Sequence, residues 1–221
     1  IKVPVSCLND KNYLFLLKKI NKPIILSIAS TEIKEIQNIY RFFNKKNEIV
    51  LMYGIQNFPT KLSDLNLNKI IFLKEKFKCL IGYADHTDSN ETFYSKYIPL
   101  LAHSLGANII EKHITINRHL KGRDYYSALN PNEFKDFVDI FNFKKKIYGK
   151  KNWTLNKADK KYAAFTKKYA VAKKSIKKDK KIKKSDIDFK RTNIIGIENK
   201  KINLILNKKT KKNFNADEII Q

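Results

Sequence analysis

Several things that would direct a reading are scarce or missing here. Cysteine occurs only twice in 221 residues, as Cys7 and Cys79, which makes neither a disulfide framework nor a zinc motif and fits a reducing compartment. No apolar run approaches the roughly eighteen residues of a membrane span. No basic-then-apolar leader opens the chain, so a cytoplasmic protein without a membrane partner is expected. No internal repeat is evident. Acidic residues are few, 21 against 46 basic ones, and the formal net charge is +25. Such a charge invites a nucleic-acid reading, but its distribution argues against one. Residues 144–184 hold 18 lysines and two aspartates, which supply +16 of the +25. These lysines come in pairs and triplets, with few aromatics for base stacking and no nucleic-acid motif around them. They read as a solvated surface, and nucleic acid is the weakest of the partners considered.

What is present is an alternation. Short apolar runs at 1–5, 23–27, 49–53, 80–84 and 108–114 read as buried strands. Between and after them, residues 9–20, 31–43, 67–77, 93–105 and 131–148 carry helical spacing. A Ser30/Thr31 cap precedes the second helix, and the last starts at Pro131 and stops at Gly149. Five strand–helix units with short connections indicate a parallel α/β domain over residues 1–149. Five are too few to close an eight-stranded barrel, whereas an open five-stranded sheet would be complete, so the pattern alone slightly favours the open sheet. Residues 150–162 read as a polar linker. Beyond it YAVA, a lysine turn around Asp179, DIDFKRT, NIIGI and INLIL suggest a small domain of short strands and turns over 163–221.

The candidate chemistry lies between Cys79 and Asp124. Two apolar runs there end in a histidine beside a carboxylate, Asp85-His86 and Glu111-Lys112-His113. Carboxyl ends of parallel strands are where α/β folds bind ligands. Adjacent strands would bring His86 and His113 together. Strand alternation would turn Glu111 and His113 to one face and Lys112 to the other. Two imidazoles with nearby oxygen donors suit a divalent ion such as manganese, cobalt or zinc; histidines that only pack or cap strand ends are the competing explanation.

The segments IKVP, KPIILS, QNFPTKLSDLNL, GYADHT, LGANIIEKHIT, GRDYYSALNP and KRTNIIGI, in this order and spacing, resemble the N-acetylneuraminate (sialic acid) synthase family and its pseudaminic and legionaminic acid relatives. The resemblance covers nearly the whole chain. It implies a (β/α)8 TIM barrel followed by an antifreeze-like, or SAF, domain. Ile1 falls at the family's fourth strand, so the expectation is a partial barrel of the last five βα units plus a complete SAF domain. The family's first three strands would lie outside this sequence, and turnover by these residues alone is not expected.

The implied reaction is a phosphoenolpyruvate-dependent condensation with an N-acetylated amino sugar. Carbon 3 of phosphoenolpyruvate attacks the open-chain aldehyde, water adds at carbon 2, and phosphate leaves by carbon–oxygen cleavage, giving a nine-carbon 2-keto acid. The resemblance implies a divalent metal on His86 and His113, manganese first, with magnesium or cobalt as alternatives. It places Lys2, Ser27 and Gln56 on phosphoenolpyruvate, Gln56 standing where well-known members have Asn. It places Phe58, where they have Tyr, and Asp124 on the sugar. Arg191 would also reach the sugar, from the SAF domain into the barrel of the partner subunit of a homodimer. The sequence departs from the family at Val5 and Cys7, which replace a serine and an acidic residue, at Ala84, which replaces a serine, and at Asp179, which replaces a turn glycine. These departures leave open a subgroup acting on a different sugar, or an inactive sugar-binding or oligomerisation remnant.

Overall fold

The computed structural model describes residues 1–43, 47–57 and 60–221. The chain divides into two compact units, Ile1–Gly149 and Lys150–Gln221. In the first, strand and helix alternate: β1 (Lys2–Val3), α1 (Lys11–Lys19), β2 (Ile24–Ser27), α2 (Ile33–Phe43), β3 (Ile49–Tyr53), α3 (Asn68–Phe77), β4 (Leu80–Asp85), α4 (Thr92–Ser104), β5 (Ile109–Ile114), β6 (Ala128–Leu129) and α5 (Pro131–Tyr148). The strands form one parallel sheet in sequence order. The two-residue β6 was not expected from sequence, because it lies inside a polar loop too short to show any periodicity.

Local chemistry explains the helix boundaries. The Asp10 carboxylate accepts from Tyr13 N and starts α1. The Glu133 carboxylate accepts from Asn130 N at the start of α5, and Gly149 ends α5 at φ 59°. The start of α2 differs from the expected Ser30/Thr31 cap. Ser30 is left-handed at φ 53°, and the Thr31 hydroxyl donates to Ala29 O instead of capping the helix. The Glu35 carboxylate reaches back to Glu32 N and takes over that role.

The two faces of the sheet do different work. Val3, Leu26, Leu51 and Ile81 stand side by side in register across four strands. They share a core with Leu14, Leu17, Ile36, Phe43, Ile70 and Leu73 from the helices. The alternate residues face the other way: Ser27, Met52 and Gly82 form one such row. Gly82 leaves room there for the flexible Met52 side chain, whose sulfur a Cβ would approach to 2.5 Å. The sheet is not the flat open one that the strand pattern alone favoured. Lys2 on β1 meets Glu111 on β5 at 2.5 Å, although four strand spacings in a flat sheet would separate them by roughly 19 Å. The five longer units therefore curl into part of a (β/α)8 barrel, with Lys2 and Glu111 on its concave face.

In the second unit, α6 (Lys157–Thr166) forms where composition reads as linker, started by a capping box of Asn156 and Asp159. β7 (Lys168–Ala172) and β8 (Ile187–Arg191) pair antiparallel. They enclose a small core that includes Ala170, Ile176, Ile182, Phe214 and Ile220. Two segments expected as short strands are not strands: residues 193–197 are irregular, and Asn199–Leu204 is a 3-10 turn. Asp179, where the family has a turn glycine, is left-handed at φ 62°, a conformation Asp tolerates better than most residues. Most lysines between 173 and 184 are exposed. Among the described residues no helix is long and apolar enough to cross a membrane.

One polar contact is buried between sheet and helices. The Lys112 ammonium lies 2.5 Å from the Asp85 carboxylate, with side-chain exposures of 1% and 0%. The two residues are register partners on β5 and β4. The Thr87 hydroxyl (2.6 Å) and the Tyr83 phenol (3.2 Å) donate to the second Asp85 oxygen. Burial and the adjacent Asp85 charge push the Tyr83 pKa far up, so the phenol remains a donor. Removing one partner of such a pair strands the other charge in a dry site, which costs about 3–5 kcal/mol. Lys112→Met is expected to destabilise the first unit by that amount and to speed hydrogen exchange in β4 and β5. The double variant Asp85→Asn/Lys112→Met should recover part of the loss. Urea unfolding combined with amide exchange measures both, and equal losses in single and double variants would show that the pair does not hold these strands together.

Candidate active site

Backbone register delivers two imidazoles to one place. His86 follows directly on β4 and is 5% exposed. Its carbonyl accepts from Thr60 N at 3.2 Å, and Thr60 and Thr87 form a parallel bridge that fixes the strand exit. His113 is the penultimate residue of β5. The two ring centroids lie 5.2 Å apart at an interplanar angle of 56°. Burial pushes the His86 pKa below its ordinary value and the adjacent His113 lowers it further, against opposing pulls from Asp85 and Glu111. The net shift favours the neutral ring, the form in which imidazole binds a metal. Among the described residues no group of three or more His, Cys, Asp or Glu side chains converges as a metal site. An imidazole pair alone offers two nitrogen donors, of the type a borderline divalent ion takes.

A cavity of about 520 Å3 is lined by Lys2, Pro4, Val5, Ser6, Ser27 and Gln56. The three residues assigned from sequence to one ligand, Lys2, Ser27 and Gln56, are thus brought together from β1, from the end of β2 and from the loop after β3. Ser27 is 4% exposed. The polar groups of the lining are an ammonium, two hydroxyls and an amide, all able to donate to an anion. The Lys2–Glu111 ion pair connects this cavity to β5. Glu111 is two residues before His113, so the two side chains share a strand face. Val5, at the start of the turn after β1, lines the same cavity.

Asp124 heads the turn Tyr125–Ser127 in a left-handed conformation, φ 57°, and its carboxylate does not cap that turn. The turn is held by its surroundings. Ser89 N in the loop after β4 donates to Tyr126 O at 2.7 Å. Arg118 makes a two-pronged bond to Glu133 at 2.6 and 2.9 Å and donates to Ala128 O at 3.1 Å. The same contact raises the Arg118 pKa and lowers that of Glu133. The segment carrying Asp124 is thereby rooted in the start of α5 and tied to the loop that follows His86. Phe58 lies outside the described residues. Arg191 ends β8 in the second unit, where it is exposed and has no ion-pair partner among the described residues.

Sequence reasoning missed Ser6, Arg118 and Ser89. Ser6 sits in the 3-10 turn Val5–Cys7, whose side-chain directions follow neither strand nor helix periodicity. Arg118 and Ser89 act through partners 15 and 37 residues away. Glu111 was placed on the correct strand face, but its partner Lys2 is 109 residues away.

Residues 1–153 match the NeuB family and residues 167–221 match the SAF domain. An uncharacterized protein of Methanocaldococcus jannaschii is 33% identical over 216 residues, which are 96% of this chain and 62% of that protein. A pseudaminic acid synthase of Campylobacter jejuni is 33% identical over 133 residues, 59% of this chain and 37% of that enzyme. The crystal structure of an N-acetylneuraminic acid (sialic acid) synthetase from Leptospira borgpetersenii superposes with a TM-score of 0.64 at 30% identity, covering 73% of this chain and 55% of that one. The chain spans less than two thirds of the length of each of these relatives. With a family match that takes in the whole barrel unit and a separate match to the small domain, the chain belongs to the NeuB family of sialic-type acid synthases and carries a SAF domain.

Proposed function

We propose that this chain forms the metal-binding and phosphoenolpyruvate-binding side of a nonulosonic acid synthase. In this reading phosphoenolpyruvate condenses with an N-acetylated amino sugar to a nine-carbon 2-keto acid, with release of phosphate. The observation that carries it is the meeting of Lys2, Ser27 and Gln56 in one cavity, joined through Glu111 to the strand that places His113 against His86. A cavity of donors suits the phosphate and carboxylate of phosphoenolpyruvate. A divalent ion on His86 and His113 would supply Lewis acidity toward the sugar's aldehyde oxygen. Lys2 binds the anion, Ser27 and Gln56 orient it, and Asp124 accepts from sugar hydroxyls. Arg191, exposed and without a counter-ion among the described residues, serves the sugar from the small domain in the partner subunit of a homodimer. The alternative, an inactive sugar-binding relative, draws on Val5 in the cavity lining.

The five curled units are part of an eight-unit barrel, so turnover is assayed in a form with the barrel closed. Phosphoenolpyruvate, manganese and a panel of N-acetylated sugars should yield phosphate and a nine-carbon keto acid by mass spectrometry. His113→Ala is expected to weaken manganese binding in calorimetry at least tenfold and to abolish product while the fold persists; metal-dependent turnover in that variant would sink the assignment. Arg191→Ala should raise the sugar KM several-fold and leave the phosphoenolpyruvate KM nearly unchanged. Equal effects on both would mark Arg191 as structural. Manganese binding without product from any sugar would favour the inactive relative.

A further inference from the structure

Ser6 is the one hydroxyl of the anion cavity to which nothing in the family pattern gives a role. It lines the cavity together with Lys2, Ser27 and Gln56, next to Val5. The 3-10 turn Val5–Cys7 is closed by backbone bonds from Cys7 N to Pro4 O (3.0 Å) and from Leu8 N to Val5 O (3.1 Å), so Ser6 is held where it stands. Three other hydroxyls of the barrel unit are engaged internally: Thr60 donates to Ile55 O and Asn57 O, Thr87 to Asp85, and Ser127 to Asp124 O. Among the described residues Ser6 Oγ has only the Cys7 sulfur, at 4.0 Å. Sulfur is a weak partner at any distance, so this hydroxyl can turn to a ligand at little cost.

A phosphoryl group presents three oxygens and nearly two negative charges, more acceptor capacity than one ammonium and one buried hydroxyl satisfy. The Val5 side chain contributes no donor. We propose that the Ser6 hydroxyl donates to the phosphoryl group of phosphoenolpyruvate, supplying from the middle of the turn the hydrogen bond that Val5 cannot make at its start. This inference rests on the reading of the cavity as the phosphoenolpyruvate site. It makes the Val5 departure a displaced donor and not a sign of decay.

The test is calorimetric titration of the full-length protein with inorganic phosphate, phosphoenolpyruvate and pyruvate. A hydrogen bond to a charged group is worth about a tenfold change in affinity or more. Ser6→Ala should therefore weaken phosphate and phosphoenolpyruvate about tenfold and leave pyruvate, which has only the carboxylate, unchanged. Ser6→Thr should retain most of the wild-type affinity. Ser6→Ala binding phosphate as wild type does, while Lys2→Met loses it, would overturn the role of Ser6 and leave the cavity assignment standing. A loss confined to pyruvate would also overturn it, by placing Ser6 on the carboxylate. Wild-type protein that binds neither phosphate nor phosphoenolpyruvate would remove the cavity assignment and this inference together.

Discussion

Asp85 and Lys112, a carboxylate and an ammonium with almost no access to solvent, tie the fourth strand of the barrel unit to the fifth. A one-residue slip in pairing turns every side chain to the opposite face. Here such a slip would withdraw both buried charges from each other, at a cost of several kcal/mol. Each member is the immediate neighbour of a histidine, Asp85 before His86 and Lys112 before His113. Because adjacent residues of a strand face opposite ways, locking the charges on the helix side fixes the imidazoles on the other. The 5.2 Å between the His86 and His113 rings follows from this register, and the Thr87 and Tyr83 donors complete the shell around Asp85.

The same division of labour runs through the sheet. One face carries the row Val3, Leu26, Leu51 and Ile81, all at most 1% exposed, and its burial against the helices supplies the cohesion. At about 25 cal/mol per Å2 of apolar surface, that layer leaves the other face free to be polar. Lys2, Ser27, Glu111 and His113 occupy it without needing to contribute to the core. Curling then turns a row of polar residues into a concavity. Lys2 and Glu111 sit at opposite sides of five strands and still touch, which brings the cavity lined by Lys2 within reach of the strand that bears His113.

The high positive charge enters little of this. The lysines that dominate residues 173–184 are exposed, and several along the small domain pair with Glu198, Asp186, Asp217 or Glu218. Exposed pairs of this kind contribute about 0–1 kcal/mol. The cationic group that matters to the proposed chemistry in the barrel unit is a single one, Lys2, facing a cavity that gathers donors from β1, the turn after it, the end of β2 and the loop after β3.

Much of the secondary structure and one central feature of the site could be read directly. The period-2 and period-3.6 patterns depend only on which residues are apolar, and they located five strands and five helices of the barrel unit. The alternation around Glu111-Lys112-His113 correctly separated Lys112 from its neighbours, because strand geometry makes that separation whatever the fold. Features without a period were out of reach: the two-residue β6, the capped helix α6 in a lysine-rich stretch, and Ser6 in a 3-10 turn. Tertiary structure alone decided the curl of the sheet, the pairing of Lys2 with Glu111, and the anchoring of the Asp124 turn by Arg118 and Ser89. Each of these depends on distances between residues far apart in the chain. Local propensity carries no information about those distances until packing of the apolar face has set the curvature.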